Sequence, residues 1–127
     1  MNPIHFEIQR EIGALDQVIT ARSLLTKKGV HGKETHEKDL LICIQSRSLF
    51  SRFIDTALWA GVDSATIEGV RAALSRALQC LREAKGKADE RCMASVEERI
   101  KGFNKFVTED LPKMTPAASN EQEIAAR

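Results

Sequence analysis

EKDLLICIQSRSLFSRFIDTALWAG, running from Glu37 to Gly61, is the stretch that decides the fold. No proline or glycine interrupts it before Gly61. Leu40, Cys43, Phe50, Ile54 and Ala57 recur at helical spacing and form one face. Leu41, Ile44 and Leu58 widen that face on one side, and Ile42, Leu49, Phe53 and Ala60 on the other. A helix apolar over most of its circumference is covered by several neighbours. The stretch is therefore expected at the centre of a helical domain or of a dimer interface.

The flanking segments carry the same period. From Pro3 to Lys28, Ile4, Ile8, Ile12, Leu15, Ile19 and Arg22 recur at three and four. Asn2 and Pro3 suit a helix start. Lys27, Lys28 and Gly29 suit its end. Gly13, inside this segment, is expected to let a neighbouring helix approach. Thr35 is the expected cap of the central helix, and Asp63 or Ser64 that of the third, which runs to about Lys85. Ile67, Val70, Leu74, Ala77 and Leu81 line the third helix. A fourth, from Ala88 or Asp89 to Leu111, carries Met93, Val96, Ile100, Phe103 and Val107, and Pro112 is expected to close it. Four helices of about 22–25 residues, each roughly 33–38 Å long, predict an all-α fold: an antiparallel, up-down-up-down four-helix bundle over residues 1–111. A short, polar C-terminal tail over 112–127 follows.

Bulk properties exclude several classes. The 127 residues are 43% hydrophobic and 29% charged, which suits one folded domain. The longest apolar run, Leu40 to Ile44, is far short of the ~20 residues of a membrane span. The N-terminus lacks a basic region leading into an apolar core. Three widely spaced cysteines, Cys43, Cys80 and Cys92, suit free thiols in a reducing compartment. These features predict a cytoplasmic location with no membrane contact. A bacterial or mobile-element source is the accompanying expectation.

The charge layout is uneven although the net charge is only +1. Arg22, Lys27, Lys28 and Lys33 have no acidic residue among them. Arg71, Arg76, Arg82, Lys85 and Lys87 are interrupted by Glu83 alone. Antiparallel helices would gather Lys27, Lys28, Lys33, Arg82, Lys85, Lys87 and Arg91 at one basic pole. Glu7, Asp63, Glu68, Glu109 and Asp110 would lie at the other. Cations at helix C-termini complement the macrodipole by themselves. The pole is also a candidate surface for an anion or an acidic partner. No aromatic residue interleaves with these lysines to stack on bases.

Chemistry-bearing motifs are sparse. His31 and His36, five apart across a loop, do not match the four-residue spacing of a helical metal pair. No metal site, cofactor or catalytic set is implied. Cys92, in a first helical turn, is the thiol placed best for reactivity. Arg47 falls between Cys43 and Phe50 on the expected central face. It calls for a carboxylate, with Asp16 and Asp55 the candidates, or reaches out to solvent along the surface, or holds a ligand in a pocket between helices. Trp59 reads as a core plug or as an exposed partner anchor.

The resulting expectation is a non-enzymatic protein–protein interaction module, such as an adaptor, an inhibitor or a chaperone-like homodimer. Two other readings stay open. One is a nucleic-acid-associated protein using the basic pole. The other is a small-ligand sensor or enzyme with a pocket around Arg47.

Overall fold

A computed structural model describes residues 3–57, 63–84 and 90–113. Among them are four α-helices and no strand: α1 (Pro3–Lys27), α2 (Lys33–Ala57), α3 (Ser64–Glu83) and α4 (Glu90–Lys105). The four helices pack as a bundle. Arg22 meets Asp39 and Glu7 meets Arg52, so α1 and α2 run in opposite directions. Ile12 lies beside Gly69 and Asp16 beside Arg76, so α1 and α3 run in the same direction. Trp59, Lys85, Lys87 and the tail beyond Lys113 lie outside the described residues.

The helix ends follow from local chemistry. Gly29, at φ 76°, is the left-handed residue that closes α1. Its N–H reaches the Thr26 carbonyl at 3.0 Å, and that of Val30 reaches the Leu25 carbonyl at 2.8 Å. This paired arrangement satisfies carbonyls that a helix end otherwise leaves open. The start of α2 differs from expectation. Thr35 is not the cap but lies inside the first turn, where its hydroxyl accepts the Gly32 N–H at 3.0 Å and donates to the Gly32 carbonyl at 2.9 Å. A side chain three residues into the helix thus reaches back to the chain before it, half of a capping box. At α3 the Asp63 carboxylate accepts the Thr66 N–H at 2.7 Å, as the sequence indicates.

Pro112 does not close the last helix. Residues 106–110 form a π turn, Phe106–Asp110, and helical structure continues to Lys113. The Leu111 N–H bonds the Phe106 carbonyl, five residues back. A proline ring in a regular helix strikes the carbonyl four residues before it. The wider turn displaces that carbonyl and lets the helix go on.

The core is formed by one seam from each helix. It includes Ile8 and Leu15 of α1, Leu74 and Leu81 of α3, and Val96 and Phe103 of α4. The buried seam of α2 is not the expected one. It runs Thr35, Asp39, Ile42, Ser46, Leu49 and Phe53. Cys43, Phe50 and Ile54 are only half-buried beside it, and Leu40 is exposed. Three polar residues occupy the seam, and each makes at least one hydrogen bond, Thr35 to Gly32 as above. The Ser46 hydroxyl donates to the Ile42 carbonyl at 2.7 Å, and Asp39 meets a guanidinium. Gly13 is exposed, with no atom near the place a side chain would fill. Gly102 allows the close approach instead. A Cβ there would stand 3.2 Å from the Phe50 ring, so α2 and α4 touch where α4 has no side chain.

Candidate functional site

Three places bear on function: the charged pole, a buried ion pair beside it, and the outer face of α1 and α2. At the pole, Lys27, Lys28 and Lys33 are exposed around the α1–α2 turn. Arg82 and Arg91 are exposed as well, and Arg82 reaches Glu97 at 3.5 Å. Arg22, Ser23, Thr26 and Lys27 share a cavity of about 320 Å³ with Cys80 and Glu83, which brings the ends of α1 and α3 together. Glu34 and Glu83 stand among the cations, so the described part of the pole is mixed in sign. His31 and His36 border an open depression with Thr35, whose hydroxyl is already engaged. Among the described residues no group of three or more His, Cys, Asp or Glu is placed to hold a metal ion. None of the described helices is long and apolar enough to cross a membrane.

The buried guanidinium belongs to Arg22 and not to Arg47. Arg22 completes the stripe of α1, and its Nε–H donates to Asp39 Oδ1 at 2.9 Å. The two side chains are 4% and 1% exposed, so both charges are out of water. The same guanidinium donates to Thr26 Oγ1. Asp39 Oδ2 is buried with no hydrogen-bond partner among the described residues. Arg47 is exposed, and Asp16, its proposed carboxylate, instead takes Arg76 at 2.9–3.1 Å. The physical reason is rotational. With the seam at Ile42, Ser46 and Leu49, position 47 turns away from the bundle at 100° per residue. Arg47 thus stands on the exposed side of α2, and among the described residues a polar cavity lies at Arg22.

The Arg22 charge is offset by Asp39, and the neighbouring thiol is held protonated. Burial is the main cause pushing Cys80 up, opposed by the Arg22 charge and a hydrogen bond with Ser23, with Asp39 and Glu83 adding to the rise. Cys92 is buried in the core, so it is not the accessible thiol its position suggested. Above the ordinary thiol value of 9.0, the folded chain keeps the Cys80 proton while the unfolded chain has lost it. Stability is thus full below that pH and falls as pH climbs, by at most ~1.4 kcal/mol per pH unit for one proton. Cys80→Ala is expected to flatten this part of the slope. Urea unfolding of both proteins between about pH 8 and 10 checks it, and parallel slopes would contradict it.

The outer face of α2 is built on a second seam. Lys33, Glu37, Leu40, Ile44, Arg47 and Ser51 are all exposed. Each stands two residues before a member of the buried seam, about 200° around the helix. Ile44 is 58% exposed and Leu40 39%, and Leu24 of α1 is 50% exposed. A groove of about 290 Å³ runs alongside, lined by Ala21, Leu24 and Leu25 from α1 and by Glu34, Glu37 and Lys38 from α2. α2 thus buries Asp39 and Ser46 in its inner seam while Leu40 and Ile44 stand on its outer one. Sequence reasoning put Leu40 and Ile44 on a face expected at the centre of the domain or of a dimer interface, and did not single out Leu24. Comparison of the chain with protein-family models, curated proteins and solved structures finds no match, and the reading of the site rests on its geometry.

Proposed function

We propose that the chain acts by binding protein, through the outer face of α2 and the adjoining rim of α1. The carrying observation is the outward placement of Leu24, Leu40 and Ile44 while Asp39 and Ser46 occupy the interior. Each exposed aliphatic side chain gains up to about 1.5–3 kcal/mol on full burial. An apolar strip bordered by charges is the usual form of a docking surface. Mechanistically, contact would bury the strip, while Glu37, Arg47 and the groove charges select orientation. The free cysteines support a reducing, cytoplasmic setting for this binding. A nucleic-acid role draws less support, because carboxylates stand among the cations of the pole.

A photo-crosslinking amino acid at Ile44 tests the proposal, with Ser75 on the exposed side of α3 as control. Irradiation in cells is expected to give a protein adduct at position 44 and none at 75. Equal adducts at both positions, or none at 44, would overturn it.

A further inference from the structure

The outer seam of α2 is symmetric about its own middle. Its steps are four, three, four, three, four, from Lys33 through Glu37, Leu40, Ile44 and Arg47 to Ser51. Leu40 and Ile44 form the centre, and the charges flanking them at equal distance have opposite sign. Neither Glu37 nor Arg47 makes an ion pair among the described residues.

We propose that a second copy of this chain occupies this face, with α2 packed antiparallel against α2 about a two-fold axis between Leu40 and Ile44. This rests on the docking reading above and names its partner. The axis sets Leu40 against Ile44 of the other copy, and Glu37 against its Arg47, each pairing occurring twice. A two-fold interface needs a patch complementary to itself. Here reversing the seam exchanges acid for base and leaves the apolar centre in place. A parallel copy would set Glu37 against Glu37 and Arg47 against Arg47, so charge selects the antiparallel arrangement.

The groove supports the same pairing. Position 47 of the second copy arrives beside Glu37, at the edge of the groove that also carries Glu34. Lys28 and Lys38 stand on that groove too, and Glu34 offsets part of their charge. Leu24 flanks the seam and extends the apolar contact onto α1. The seam runs over 19 residues, and the 18 steps from Lys33 to Ser51 cover roughly 27 Å of helix. So short a contact predicts a reversible dimer that dissociates on dilution.

Sedimentation equilibrium of the full chain over a dilution series tests this. The expected species is twice the 14.1 kDa chain mass, giving way to monomer on dilution. Arg47→Glu and Glu37→Arg, each setting like charges together, are expected to weaken the dimer about tenfold or more. The double charge swap is expected to restore it, and Ile44→Lys to abolish it. All these positions are exposed, so circular dichroism should report unchanged helix content. A dimer indifferent to these variants, or a swap without recovery, overturns the proposal. A monomer whose crosslinker at position 44 captures a different protein overturns self-pairing and leaves the docking reading standing. A monomer with no capture removes both.

Discussion

Asp39→Ala is expected to destabilise the fold by about 3–5 kcal/mol, the cost of stranding one member of a buried ion pair. Removing the carboxylate leaves the Arg22 guanidinium in the interior with Thr26 as its remaining described acceptor. The intact pair is not a large net stabiliser, because both charges have lost water and Asp39 Oδ2 has no hydrogen-bond partner among the described residues. Replacing both residues, as in Arg22→Met with Asp39→Leu, is therefore expected to be close to neutral or to stabilise by up to about 4 kcal/mol. Urea unfolding followed by circular dichroism separates these cases. A cost below ~1 kcal/mol for Asp39→Ala would mean that Arg22 escapes to water through the neighbouring cavity.

Phe53→Ala is expected to cost about 3–5 kcal/mol, the usual range for emptying a buried aromatic site. The side chain is fully buried. Its ring lies 4.6 Å from that of Phe103, tilted, and 6.2 Å from that of Phe106, edge-on. It is thus the hub where α2 meets α4 and the π turn. The half-buried Phe50, one turn earlier and over Gly102, is expected to cost less on the same change. The two variants compared by urea midpoint check this order. Equal losses, or a loss below ~1 kcal/mol at Phe53, would show that α4 is anchored elsewhere.

The number of helices and most of their limits were legible in the sequence because they depend on neighbours in the chain. Gly29 after two lysines ends α1, and Asp63 three residues before Thr66 caps α3. The facing of α2 was not legible in the same way. Its apolar residues spread around most of the circumference, so period alone left the rotation open, and the more apolar seam looked like the inner one. The true seam contains Asp39 and Ser46, whose burial becomes acceptable only once Arg22 and the Ile42 carbonyl are in place. Arg22 sat in plain view at the end of the α1 stripe. The missing signal was its antiparallel register with Asp39. Arg47 drew attention because it fell between Cys43 and Phe50, which lie half-buried beside the true seam while Arg47 itself is exposed.

The π turn at Phe106–Asp110 also bears on how chain length can vary. It holds one residue more than a regular turn would need. Deleting one residue there would let the helix close to ordinary pitch, but the Pro112 ring would then meet the carbonyl four positions before it. Extra residue and proline are thus a matched pair: a shortening tolerated at this point is expected to require loss of the proline as well.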